Sequence, residues 1–323
     1  MGYTHNDSIA YITNFAVGSK GSEKVIADSA GRMYLNFESG SQFYVDSGVG
    51  SDSYDGLTWA TAMASVDAAN GKCTANAGDV IYVAPGHAEA FSAAAGIVFD
   101  IPGVTVVGLG NGSLRPTFTL DTATTTDIDV TGANVTLRNL IFSANFADIA
   151  ECIDLDAKNF TLENCEFLDT AADMDFVVYI NCDDTANACD GLTVRNCTVI
   201  SPDVANDHFI AAIEDIDRLT VEDCFIMMGV NDGEAIIEAS TGKDFTNCLI
   251  RRNAFNRGNT ANVMCMESDT TANSGMIYDN YVGHLDTATA VPFDVTGAKL
   301  FENYAVGVVD KSGLLLPAVD DNA

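Results

Sequence analysis

The sequence predicts an all-β solenoid, a chain of short strands wound into stacked coils, and three observations predict it. First, a short motif ending in Asn or Asp plus a packing residue occurs seven times: Leu137-Arg138-Asn139-Leu140, Leu162-Glu163-Asn164-Cys165, Val194-Arg195-Asn196-Cys197, Val221-Glu222-Asp223-Cys224, Arg251-Arg252-Asn253-Ala254, Tyr278-Asp279-Asn280-Tyr281 and Phe301-Glu302-Asn303-Tyr304. Second, the Asn/Asp positions are 25, 32, 27, 30, 27 and 23 residues apart. A period of that size with β-type segments is the signature of repeats that stack only on their neighbours. Third, each repeat holds an earlier strand in which an acid or amide sits between apolar neighbours, as in Ile128-Asp129-Val130 and Ile153-Asp154-Leu155.

Residues 1–42, at the start of the chain, lack the repeat and read as a non-repeating attachment arm, with Gly/Ser loops at 18–21 and 39–41. The arm up to residue 41 carries a net charge of −1, which leaves −30 for the rest. Its candidate partner-binding residues are Tyr3, His5, Ile9, Tyr11, Phe15, Lys20, Lys24, Arg32 and Tyr34. Phe43–Asp46 opens the regular body, which spans 43–308. After a Gly/Ser/Asp loop, residues 58–70 read as one capping helix with Thr58 as N-cap. Gly78–Gly86 reads as a strand closed by a Pro-Gly turn, and Val104–Gly110 as the next strand. Residues 309–323 form a tail whose Leu314-Leu315-Leu316 run covers the open end of the solenoid or packs on a partner.

Stacking implies two columns. The motif Asn residues read as a corner ladder, because Asn tolerates a left-handed backbone and its amide can bond the Asn above it. The followers Leu140, Cys165, Cys197, Cys224, Ala254, Tyr281 and Tyr304 read as inward core ladders. Alternation sends Asp129, Asp154, Asn181, Glu214, Glu238, Glu267 and Asp294 outward into a second column. Like charges at that spacing repel by about 1 kcal/mol per pair even in bulk water. The column reads as a solvated edge, with a bound cation or a neighbouring subunit's Lys or Arg as the alternative.

The chain has 323 residues, 46 acidic against 15 basic, and a net charge of −31. Such a body disfavours nucleic acid and anionic membranes, since both are bound by Lys and Arg. At 47% hydrophobic it is not a disordered acidic chain. The nine cysteines include no CxxC, and the four histidines are scattered, so no metal or other cofactor is expected and the thiols read as reduced core residues. The N-terminus lacks a basic start followed by an apolar run, which predicts a protein not exported by the general route.

Tyr44-Val45-Asp46, Gly50–Ser53, Asp55–Ala62, Gly78–His87, and Val104–Gly112 with Arg115-Pro116 resemble the opening coils of pectate-lyase-like right-handed β-helices, in particular those encoded by tailed phages. The resemblance covers residues 43–308. It implies a right-handed parallel β-helix whose short helix covers the N-terminal end. The functional expectation is a non-enzymatic virion protein, a decoration or cement protein on the capsid surface, made in the host cytoplasm. Its partners would be the major capsid protein and two further copies of itself in a homotrimer. The alternatives are a tailspike that binds or cleaves a surface polysaccharide, and a free polysaccharide lyase. Enzymes resembling this fold place acids on one outer strand face. The candidates are Asp173, Asp175, Asp183, Asp184, Asp203 and Asp207, most of them in the widest repeat, with His208 and Arg218 nearby.

Overall fold

The computed structural model describes residues 24–27, 33–36 and 40–315, with breaks at 172–173, 184, 202–205, 230–234, 258–263, 269, 286–291 and 308–312. The body is a right-handed parallel β-helix with three faces. A first sheet of ten strands starts at Gln42–Val45 and ends at Lys299–Phe301. A second sheet of ten runs from Ala88–Phe91 to Gly313–Leu315, and a third of eight from Ile97–Phe99 to Phe293–Asp294. Among the described residues no helix is long and apolar enough to cross a membrane.

Strict alternation builds the core. In Thr117–Asp121 every second residue is buried, and the inward Phe118 meets Phe91 and Phe142, while Phe142 meets Phe167 one coil further, in a file of rings. Phe142 and Phe167 stack at 5.2 Å. Each such ring removes enough apolar surface from water to contribute about 2–3 kcal/mol. All nine cysteines are free thiols, and eight are buried.

The expected single helix is two elements. Trp59–Thr61 is a 3₁₀ turn capped by the Thr58 side chain, and Val66–Asn70 is a short α-helix capped by Ser65. Between them Met63 pairs with the first strand: its N–H donates to the Tyr44 carbonyl, and its own carbonyl accepts from Asp46. The Asp52 carboxylate accepts from the N–H groups of Ala64 and Ser65, both at 2.9 Å. The backbone amides that would continue a helix are therefore engaged elsewhere. The α-helix buries Val66 and Ala69 against the first strands of the first and third sheets, at the N-terminal end of the solenoid.

The corner ladder forms in the first four motifs only. Asn139, Asn164, Asn196 and Asp223 have φ near +55 to +60°. Asn164 donates to Asn139 at 2.7 Å, and Asn196 donates to Asn164 at 2.9 Å. In the last three motifs the left-handed residue is one earlier: Arg252, Asp279 and Glu302. A one-residue slip sends each following side chain to the opposite face. Asn253, Asn280 and Asn303 thus enter the core, continuing the file of Cys165, Cys197 and Cys224, and each is at most 2% exposed. Tyr281 and Tyr304, expected inside, point outward at 46% and 50% exposed, and Ala254 is half-buried in the same file. The slip is held by a bidentate Arg252–Asp223 pair and by amides that satisfy one another.

The C-terminal tail meets the expectation in part. Gly313–Leu315 adds to the second sheet as an antiparallel strand against Asn303–Gly307, and so covers that sheet's last edge. In the arm, Lys24–Ala27 and Met33–Asn36 form an antiparallel pair separate from the three sheets.

Candidate functional site: a carboxylate cluster on the third sheet

The acid column lies on the outer face of the third sheet. Ile128 and Val130 are buried, and Asp129 between them faces out; Ile153, Asp154 and Leu155 repeat the pattern one coil on. Val98, Asp129, Asp154, Asn181 and Ala211 are register partners in that order, followed by Glu238, Glu267 and Asp294. One member differs from the sequence expectation. The column position is Ala211, whereas Glu214 lies beyond its strand in a turn and pairs with Lys243. The sequence offers an acid three residues after Ala211, and only the register shows that it has left the strand.

The column is therefore two acidic blocks separated by Asn181 and Ala211. Around the first block the backbone brings in more carboxyls. Cys152 and Ile153 are consecutive buried residues, so the strand is irregular there, and Glu151 reaches the same side as Asp154. Burial is the main cause that pushes the Asp154 carboxyl up to about 7, and the charges of Glu151, Asp183, Asp129 and Asp127 push the same way. Burial likewise pushes Asp129 up to about 6, with the charge of Asp127, its hydrogen bond and the charge of Glu151 adding to the shift. Glu151 is raised by burial and by Asp127 and Asp183, against a lowering hydrogen bond from the Asn181 side chain. The Asp154 Oδ1 atom is buried without a hydrogen-bond partner. Every charge acting on Asp154 is another carboxyl.

The first sheet handles its acids differently. Its outer file reads Arg138, Glu163, Arg195, Glu222, Arg251 in register. Arg138 meets Glu163 at 2.7 Å, and Arg251 meets Glu222 at 2.6 Å. Acids of that file are thus paired with arginines of neighbouring coils. Among the described residues no cation acts on Asp154, so this block of half-buried carboxyls costs stability, and strongly perturbed carboxyls of this kind cluster at functional sites.

That cost has a measurable sign. The folded values of Asp129 and Asp154 lie above the unfolded value near 3.9. Between about pH 4 and 7 the native state therefore binds more protons than the unfolded chain, and stability falls as pH rises through that window. Discounted for solvent screening, the penalty at pH 8 is on the order of 1–2 kcal/mol. Thermal melts are expected at higher temperature at pH 5 than at pH 8, with the difference reduced in Asp154→Asn. A difference unchanged by that substitution would assign it to the general charge of the body.

Of the other residues that the sequence singles out, Asp183 joins the cluster. Asp175 is 1% exposed and holds a turn, accepting from the Asp148 N–H at 3.1 Å. Asp207 immediately precedes the strand His208–Ala212, its N–H donating to the Val177 carbonyl. His208 bonds the Ala235 carbonyl at 2.8 Å and lies 3.7 Å from Glu238 in the second block. Arg218 sits at a corner, paired with Asp217 at 2.9 Å. Asp173, Asp184 and Asp203 lie outside the described residues, as do Tyr3, His5, Ile9, Tyr11, Phe15, Lys20 and Arg32. Lys24 and Tyr34 lie in the antiparallel pair of the arm. Sequence reasoning does not single out Asp127 or Glu151. The available signal is Asp127-Ile128-Asp129, two acids at alternate positions leading into one strand. Among the described residues no three Cys, His, Asp or Glu side chains converge as a metal centre.

No family model and no curated protein matches the chain. Among solved structures it is similar to a rhamnogalacturonan lyase at 16% identity and a TM-score of 0.43, over 84% of this chain and 90% of that one. It is also similar to a GH136 lacto-N-biosidase from Eubacterium ramulus, at 13% identity and a TM-score of 0.38, over 83% of this chain and 68% of the other.

Proposed function

We propose that the chain acts on a glycan laid along the outer face of the third sheet, and cleaves a glycosidic bond there with Asp154 and Asp129. One observation carries this reading: two carboxyls in register on adjacent strands hold their protons to different pH, about 7 and about 6. Near neutral pH, Asp154 is still partly protonated while Asp129 is mostly ionised. Glycoside hydrolysis needs that division of labour, one acid to protonate the leaving oxygen and one carboxylate as nucleophile or base. Strand partners are spaced about 4.8 Å apart. That spacing fits the short carboxyl separation, about 5–5.5 Å, of the two-step retaining route. In that route Asp154 gives its proton to the glycosidic oxygen as the C–O bond breaks, while Asp129 bonds to the anomeric carbon. Water then releases the sugar, with Asp154 taking back a proton. Glu151 and Asp183 keep the Asp154 proton in place.

A virion surface role is the second reading, and one observation favours it. The arm carries its own antiparallel strand pair ahead of the body, on a segment far less acidic than the solenoid. In that role the arm would hold the chain, as a homotrimer, on the major capsid protein, and the third sheet would face outward.

One experiment separates the two. The full chain is incubated with neutral and acidic polysaccharides, and the release of reducing ends is measured together with co-sedimentation on capsid particles. Release of reducing ends supports the first reading. A chain that releases none but co-sediments supports the second and overturns the first.

A further inference from the structure

The second sheet presents an outer face unlike the other two. Its outward residues form two long files, one from Ala88 to Tyr304 and one from Ala90 to Gly283, beside a short third at the N-terminal end that holds Asp121 and Asn145. Between them the two long files hold a single charged residue, Glu166, and it is neutralised by an ion pair with Arg115. This occurs on a chain of net charge −31. Toward the C-terminal end the face turns apolar, with Ile200 40%, Phe225 42%, Tyr281 46% and Tyr304 50% exposed. Leu314, at 50%, extends the strip as the register partner of Tyr304 on the added antiparallel strand. The one-residue slip at Arg252 is what turns the two tyrosines outward. The same slip that fills the core with asparagine thus creates the strip.

We propose that this face is where a second copy of the chain docks. The charge pattern selects that occupant. A cationic partner would be drawn to the carboxylate-rich faces, whereas this one offers nearly no charge to pair. Two bodies of −31 repel, and the approach that brings fewest carboxylates together sets these two faces against each other. Size is consistent. Nine parallel strands at about 4.8 Å make the face roughly 40 Å tall, and four residues of strand make it ~13 Å wide. That is about 500 Å² per copy and ~1,000 Å² in all, the level at which specific association begins. Apolar contact between like-charged bodies has a diagnostic salt response, since added salt screens the repulsion and leaves the contact intact. The face lies on a different sheet from the carboxylate cluster, so the two proposals stand or fall separately.

Sedimentation equilibrium on the full chain tests this. The expected mass is a multiple of 34.1 kDa that grows with protein concentration and with salt between ~0.02 and ~0.5 M. The double variant Phe225→Glu/Tyr281→Glu is expected to sediment as a 34.1 kDa monomer with an unchanged circular dichroism spectrum. Ala254→Glu, in the same file, serves as a second variant should the first lose its fold. A wild-type chain that stays at 34.1 kDa throughout overturns the proposal, as does a folded variant that keeps the wild-type mass.

Discussion

Asn280→Leu is expected to lower the unfolding free energy by about 3–5 kcal/mol, more than most core truncations of similar volume. Asn280 is 1% exposed, and its amide is fully engaged. The Oδ1 atom accepts from the Asn253 N–H at 3.1 Å and from its Nδ2 at 3.0 Å. The Nδ2 atom donates to the Ile250 carbonyl and to Asn303 Oδ1, both at 2.9 Å. Leucine matches the branched shape but is bulkier, and it leaves the Asn253 N–H, the Asn253 Nδ2 atom and the Ile250 carbonyl without this partner in a dry core, where each orphan costs about 1–3 kcal/mol. Asn164→Leu, at the half-buried corner, breaks bonds that water can replace but puts leucine in a left-handed backbone, and is expected to cost about 2 kcal/mol. Urea denaturation of both variants checks the contrast. Because each coil contacts only its neighbours, hydrogen exchange in Asn280→Leu should rise first in the last coils, 248–304.

The architecture is legible in the chain because it is periodic. Period-2 alternation locates Ile128-Asp129-Val130 and Ile153-Asp154-Leu155, and repeat spacing sets the stacking. The register within the repeat is less legible. Aligning all seven motifs on Asn puts the last three off by one. Arg252 and Glu302 are poor candidates for a left-handed turn on local preference, though Asp279 is not. They adopt it because the buried amide file gains more from Asn253, Asn280 and Asn303 inside than the corner loses. Tertiary hydrogen bonding outweighs local propensity, and no single repeat reveals that. The same slip hides the exposed tyrosine strip, which a one-column alignment places in the core.

For the site, the column is legible and its chemistry is not. The sequence marks Asp129 and Asp154 as outward acids, while the widest spacing, Asn164 to Asn196, points instead to Asp183 and its neighbours. Among the described members of that set, Asp183 reaches the cluster. Which acids share one environment depends on strand register and on the irregularity beside Cys152, both products of the assembled sheet. The stacked fold supplies a rigid ruler of strand spacing, and the carboxyls inherit their separation from it.

Asp154→Asn is expected to lower glycan cleavage by about a hundredfold or more, with little change in substrate binding. The amide keeps the shape and removes the transferable proton. The effect should sit in kcat, because proton donation to the leaving oxygen develops only in the transition state. The wild-type profile should be bell-shaped, falling below about pH 6 as Asp129 is protonated and above about pH 7 as Asp154 loses its proton. Asp154 is largely protonated where Asp129 titrates and is not among the charges that raise it, so the acid limb should stay near pH 6. A variant that retains wild-type turnover would take the proton donor away from Asp154.

The claim that joins fold to function is that two register-paired aspartates on the third sheet hold their protons far above the ordinary carboxylate range. Carbon-detected NMR titration of the aspartate side-chain carboxyls measures it directly. Resonances assigned to Asp129 and Asp154 are expected to titrate near 6 and 7, with the Asp129 midpoint little changed in Asp154→Asn. If both residues titrate at the ordinary value near 3.9, the cluster is a solvated edge and the catalytic reading is contradicted.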